Sequence, residues 1–118
     1  MKYLYCYDLE IYPNCFLCCV ADLVKRKISV FEISTRKDQR KEMFDYLREA
    51  YRNKGWFIGF NNVGFDSPLL HHFLKNQNLT PLQLFQHGDK IIKSGYTDNK
   101  WQYVLKDKDE KFYNKIIL

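Results

Sequence analysis

The feature that most constrains the fold is a set of three apolar runs near the N-terminus, separated by two short turns. The runs cover residues 3–9, 15–23 and 28–33, and the turns carry Pro13-Asn14 and a basic triplet at 25–27. Apolar segments of this length are typical of strands, and connections this short join antiparallel neighbours. The pattern therefore predicts a three-stranded antiparallel meander.

From Ser34 onwards the apolar residues change to a helical spacing. The repeat over residues 43–51 predicts a helix at 37–53, and Ser34 or Thr35 is the expected cap. Residues 56–60 then predict a short buried strand. Because a helix separates this strand from the meander, we expect it to lie parallel to the first strand.

Two helices that begin with proline follow the short strand. Pro68 and Pro81 stand where a first helical turn needs no amide donor, and they predict helices over 67–75 and 81–92. Residues 101–105 and 111–118 alternate around a charged turn and predict a hairpin. We therefore expect one α/β domain over 1–118, with flanking helices on a mixed sheet of a three-stranded meander plus a parallel strand.

The composition favours a nucleic-acid partner inside the cell. The chain has 19 Lys and Arg against 14 Asp and Glu, a formal charge of +5, which favours a polyanion. The sequence has no run of about 18 apolar residues and no secretory-signal pattern, so we expect no membrane partner and a cytoplasmic location. The aromatic residues Tyr12, Phe60 and Trp101 are expected in the core rather than as stacking surfaces.

The cysteines fall within the first two apolar runs, at Cys6, Cys15, Cys18 and Cys19. We interpret them as reduced residues buried in strands. A zinc site would need a second pair of ligands, but the adjacent histidines lie far along the chain and lack a spacing typical of zinc.

Two acidic residues stand at the end of the first strand. Asp8 and Glu10 are two positions apart, so both side chains project from the same face of the sheet. Acids at the end of an otherwise apolar strand are costly unless something compensates their charge. Because they repel each other unless a cation lies between them, the pair indicates a site for a hard divalent ion.

A third carboxylate, Asp66, lies in the segment GFNNVGFDSPLL over residues 59–70. It marks the junction between a loop and a helix start. A helix cap is one interpretation, because Asp is common immediately before Ser-Pro at a helix start. A cap alone would not need the Asn-rich turn or the neighbouring Phe65, so a functional carboxylate is the second interpretation.

These two motifs resemble the first two motifs of the DEDD 3′ to 5′ exonucleases, which have a ribonuclease H-like fold. The resemblance is to the domain that accompanies family B DNA polymerases, especially those of phages. Asp8 and Glu10 match its first motif. Asn61, Phe65 and Asp66 match the second, with Asn62 as an alternative register for the Asn. The match covers about residues 3–75.

The resemblance implies a chemistry and its partners. Asp8, Glu10 and Asp66 would be the catalytic residues and would hold two Mg²⁺ or Mn²⁺ ions for displacement at phosphorus. Asn61 or Asn62 would orient the scissile strand, and Phe65 would pack near the terminal nucleotide. The substrate would be single-stranded DNA or a primer 3′ end, and the expected partner is a DNA polymerase domain or subunit.

The third motif of the family, Tyr and then Asp four positions later, is matched in letters by Tyr103 and Asp107. That segment has the pattern of a hairpin rather than of a helix, so we expect the true third motif beyond Leu118 and an incomplete domain. Two functions follow as hypotheses. One is an active nuclease, and the other is a catalytically impaired module that binds nucleic acid or protein.

Overall fold

The computed structural model describes residues 3–59, 65–94 and 116–117 of the chain. Within them it has five strands and three helices. In chain order these are β1 (Leu4–Tyr12), β2 (Cys15–Asp22), β3 (Lys27–Ser34), α1 (Arg40–Arg52), β4 (Trp56–Ile58), α2 (Ser67–Lys75), α3 (Pro81–Ser94) and β5 (Ile116–Ile117). The predicted α/β class is confirmed.

The strands form one mixed sheet in the order β3-β2-β1-β4-β5. The first three strands make the predicted antiparallel meander, in which Asp8 lies opposite Cys19 and Glu10 opposite Leu17. β4 pairs with β1 in parallel, as a crossover helix requires. β5 pairs with β4, also in parallel. The other predicted hairpin strand, 101–105, lies outside the described residues.

Helix α1 begins later than predicted, and neither Ser34 nor Thr35 caps it. The chain after β3 instead turns back along that strand. The backbone amide of Gln39 donates to the Glu32 carbonyl, and the side-chain oxygen of Gln39 accepts a hydrogen bond from the backbone amide of Glu32. Ser34 donates its hydroxyl to Glu32, so the expected cap residue is used to close this turn. The helix then starts at Arg40, with no side-chain cap bond at its N-cap Gln39.

Side chains of β1 alternate between a buried face and an exposed one. Tyr5, Tyr7 and Leu9 are buried, whereas Asp8 and Glu10 are exposed. This is the two-residue period of a strand with one face on the core. The exposed face of the central strand therefore carries the two acids that the sequence identified.

Aromatic rings connect the helices to the buried face of the sheet. Phe73 of α2 contacts Phe16 of β2 and Phe44 of α1 edge to face, with ring centroids 5.3 and 5.0 Å apart. Tyr5 stacks on Phe57 of β4 at 5.0 Å. These contacts fix α1 and α2 on the same side of the sheet and hold β4 beside β1.

The cysteines agree only in part with the prediction. All of those described are free, but only Cys18 is buried, whereas Cys6, Cys15 and Cys19 are half-buried. The difference follows from the register of the sheet. Cys18 lies on the core face, and Cys6 and Cys19 lie on the face that carries Asp8.

Replacing Gly55 with alanine tests the junction between α1 and β4. An added Cβ would lie 2.5 Å from Cε2 of Tyr5 and 3.0 Å from the Ala50 carbonyl oxygen. The Tyr5 ring is held between Tyr46 and Phe57, so we expect Gly55→Ala to lower the free energy of unfolding by about 1–3 kcal/mol. Urea unfolding measures this change.

The matched control is Gly88→Ala. Its added Cβ would meet Cζ of Phe65 at 3.4 Å, which is an ordinary contact. Gly88 lies inside α3, where alanine is favoured over glycine by up to about 1 kcal/mol. The control should be as stable as the original chain or more so. Equal stability of the two variants would contradict the crowding at Gly55.

Candidate functional site

The exposed acids of β1 lie beyond the point where β4 ends. Pairing between the two strands stops at Cys6 and Ile58, but β1 continues to Tyr12. The Tyr3 carbonyl accepts the Trp56 amide on the β4 side, so strand alternation turns the Leu9 amide to that side as well. Among the described strands, none continues β4 to meet this amide.

The partner of the Leu9 amide is Asp66. Its Oδ2 accepts a hydrogen bond from the Leu9 amide at 3.2 Å, across 57 positions of sequence, and the bond is buried. Leu9 lies between Asp8 and Glu10. The bond therefore brings the third carboxylate to the backbone of the strand segment that carries the other two.

Asp66 occupies the N-cap position of α2 but does not cap the helix through its side chain. Its backbone is helical and its carboxylate makes no cap hydrogen bond. The interpretation of Asp66 as a cap is therefore wrong. Its side chain serves a contact between α2 and the sheet, which a local cap would not need.

The start of α2 is buried around Asp66. Asp66 is 6% exposed, and the neighbouring Phe65 is half-buried. Ser67 and His71 follow inside the protein, with His71 Nδ1 2.6 Å from the Ser67 carbonyl oxygen and 3.3 Å from its hydroxyl. These contacts fix the first turn of α2 directly after Asp66, which restrains the direction of its carboxylate.

Burial changes the acidity of Asp66. Loss of solvation raises its pKa from the ordinary 3.8 to about 7, the Leu9 amide opposes the rise, and the negative charge of Asp8 adds to it. The same region raises the pKa of the buried Cys18 thiol to about 12, first through burial and then through Cys19, Asp66 and Asp8. Burial is the larger cause of both shifts and the charge of Asp8 a smaller one. A positive ion beside Asp66 would oppose both causes by favouring the ionised carboxylate.

Glu10 has a partner on its own strand. The hydroxyl of Tyr12 donates to its Oε2 at 3.2 Å on the exposed surface. Residues two apart on a strand share a face, so Asp8, Glu10 and Tyr12 form one row. Tyr12 itself is 50% exposed, and its expected place in the core is wrong.

Some of the predicted site residues lie close together in the structure, and others lie outside the described residues. Asp8 and Asp66 interact electrostatically, and Phe65 lies beside Asp66 with its ring against α3 at Gly88. Asn61 and Asn62 lie outside the described residues, as do Phe60, Trp101, Tyr103 and Asp107.

The three carboxylates are of the type that binds a hard cation, but they do not lie close enough together to share one. Asp8, Glu10 and Asp66 offer only oxygen ligands, as Mg²⁺ and Mn²⁺ prefer. Over residues 3–59, 65–94 and 116–117, no three His, Cys, Asp or Glu side chains lie close enough to share a metal ion. The exposed side chains on β1 would have to turn toward Asp66 to form a shared site.

The sequence analysis missed two features of the site. The Leu9 amide is a backbone group and leaves no trace in residue type. The contact of Tyr12 with Glu10 has a signal, because alternate strand positions share a face, but aromatic residues in strands usually belong to the core.

Comparisons with protein-family models, with curated proteins and with solved structures found no match for this chain. The exonuclease resemblance therefore depends on the sequence motifs at Asp8, Glu10 and Asp66. Among the helices that the structure describes, none combines the length and the apolar character needed to cross a membrane.

The raised pKa of Asp66 predicts a stability difference that depends on pH. Between the ordinary value of 3.8 and about 7, the unfolded chain releases this proton while the folded chain keeps it. The free energy of unfolding therefore falls across that range. Asp66→Asn removes this loss and keeps an oxygen acceptor for the Leu9 amide. Relative to the original chain, the variant should gain up to a few kcal/mol between pH 4 and pH 8.

Urea unfolding in the presence of a chelator measures this difference at each pH. Other titrating groups contribute equally to both proteins, so only the difference between them reports Asp66. Asp8→Asn should reduce the pH dependence, because it removes the neighbouring charge that raises the Asp66 pKa. Stability curves of the original chain and Asp66→Asn that stay parallel from pH 4 to pH 8 would contradict the assignment.

Proposed function

We propose that this chain is a metal-dependent 3′ to 5′ exonuclease domain that hydrolyses single-stranded DNA ends. The observation that carries the proposal is the buried bond from the Leu9 amide to Asp66. It brings the carboxylate of the second motif to the strand of the first, between Asp8 and Glu10. A purely structural set of surface acids would not need one member buried against a distant strand.

The sheet supports a ribonuclease H-like fold for the domain. Its order, β3-β2-β1-β4-β5, has an antiparallel meander on one side of β1 and parallel pairing on the other. The first motif then lies on the central strand, and the second lies at the start of the helix after β4. This is the arrangement expected for an exonuclease domain of family B, phage-type DNA polymerases.

In the proposed site, Asp8, Glu10 and Asp66 would hold two Mg²⁺ or Mn²⁺ ions. When bound, such ions activate water and stabilise the charge on the leaving oxygen in phosphodiester hydrolysis. The protein positions the ligands. The Leu9 amide fixes one Asp66 oxygen, and the strand period directs Asp8 and Glu10 from the same face.

The substrate groups in this proposal come from the second motif and its surroundings. Phe65 lies next to Asp66 and is only partly buried, and by the resemblance it would pack near the terminal nucleotide. By the same resemblance, Asn61 or Asn62 would orient the scissile strand. We further propose that the domain acts in the cytoplasm together with a DNA polymerase domain or subunit. The formal charge of +5 supports a polyanionic substrate.

A second candidate is a catalytically impaired module that binds nucleic acid without cutting it. The observation that favours it is that the described residues gather no three potential ligands around one metal position. A catalytic set that lacks one positioned group commonly loses orders of magnitude in rate. Binding of a nucleic-acid end could persist under those conditions.

Degradation of a 5′-labelled single-stranded DNA in Mg²⁺ or Mn²⁺ tests the proposal. We expect a ladder that shortens from the 3′ end, because the proposed site attacks the terminal phosphodiester. Asp8→Ala and Asp66→Asn should each lower the rate by more than about 100-fold, since each removes a ligand. Electrophoresis of timed samples measures the rate.

The matched control is Asp45→Asn, which removes an exposed carboxylate on α1 that pairs with Lys41 and Arg48. It should cut as the original chain does. Equal cutting by Asp8→Ala would indicate a contaminating nuclease and would refute the site. A folded protein that binds the DNA but does not cut it in either metal would support the second candidate.

A further inference from the structure

Tyr12 is an exposed aromatic residue at the end of the row of acids. It is the last residue of β1, directly before the Pro13-Asn14 turn, and it is 50% exposed. The other tyrosines on this strand, Tyr5 and Tyr7, are buried on the opposite face. Tyr12 therefore adds little to the core, and its ring presents apolar surface to whatever approaches Asp8 and Glu10.

The orientation of Tyr12 is restrained by Glu10. Its hydroxyl donates to Glu10 Oε2 at 3.2 Å. This hydrogen bond already restrains the ring. Packing of a partner on the ring therefore costs less conformational entropy than it would for an unrestrained exposed side chain.

We propose that Tyr12 is a substrate-binding residue whose ring stacks on an unpaired base at the end of a nucleic-acid strand. The inference rests on the proposed function and names the feature of the substrate that this site selects. Successive residues of one strand face lie about 7 Å apart, so the ring is within one or two nucleotides of Glu10. Every base has a π face, so the contact would tolerate any sequence.

Stacking on Tyr12 would also select single strands. A base within a duplex already has neighbours on both faces, whereas a terminal unpaired base has a face available for an aromatic ring. The hydroxyl has a separate role as a positioning group, because it holds the Glu10 carboxylate that the proposed ions would use. Removing the ring and removing the hydroxyl should therefore have different effects.

The experiment uses a single-stranded oligodeoxynucleotide with 2-aminopurine at its 3′ end, titrated with the full chain in Ca²⁺. Stacking quenches the fluorescence of this base, and electrophoresis confirms that the oligonucleotide stays intact. The original chain and Tyr12→Phe should both quench it. Tyr12→Leu should lose the quenching and bind about tenfold more weakly, the effect expected for one lost stacking contact.

The hydroxyl is tested by the affinity for Mn²⁺ without DNA, measured by calorimetry. Both Tyr12→Phe and Tyr12→Leu should bind Mn²⁺ more weakly, because neither can hold Glu10. Only the leucine variant should lose base quenching. This separation is not expected from a structural role alone, and the exposure of Tyr12 predicts unchanged thermal unfolding for both variants.

Trp56→Leu is the matched control. Trp56 is also an exposed aromatic residue, 36% exposed, but it pairs with Leu4 at the opposite end of β1. This control should keep the quenching. If the original chain binds and quenches while Tyr12→Leu does the same, the inference about Tyr12 is overturned and the proposed exonuclease function stands. If the original chain does not bind the oligonucleotide in Ca²⁺ and does not cut it in Mg²⁺ or Mn²⁺, both are overturned.

Discussion

The hydrogen bond from the Leu9 amide to the Asp66 carboxylate joins the two halves of the site. It lies where β4 stops and β1 continues, so it satisfies a backbone donor that the sheet leaves open. It also fixes the start of α2 against the central strand. The contact joins a helix start and a strand that are 57 positions apart in sequence.

This arrangement has an electrostatic cost, which is visible in the acidity of Asp66. Burial and the charge of Asp8 raise its pKa to about 7, although the Leu9 amide favours the ionised form. A protein selected for stability alone would gain from an uncharged acceptor at this position. Such local conflicts are typical of functional sites, where a ligand resolves them. A divalent cation beside Asp66 would turn the repulsion into attraction.

Much of the fold could be predicted because its signals are local. The apolar runs and short turns predicted the meander, the intervening helix predicted that β4 is parallel to β1, and Pro68 predicted α2 over 67–75. Asp8 and Glu10 share one face as the alternation of β1 predicts, but that face is exposed, whereas the sequence indicated a buried end of the strand. The predicted start of α1 at residue 37 was wrong, because Glu32 and Gln39 exchange hydrogen bonds and the helix begins only after them. The prediction that Tyr12 is buried was wrong. It assumed that aromatic residues of strands lie in the core, whereas Tyr12 lies on the exposed face of the sheet.

The sequence by itself determined which chemical groups the site contains and which face of β1 carries Asp8 and Glu10. Both depend only on residue type and on the two-residue period of a strand. The tertiary structure alone decided the role of Asp66, which could equally have capped α2. That decision depends on where β4 ends and on how the first turn of α2 is buried. Those are contacts between distant segments, and no local pattern encodes them.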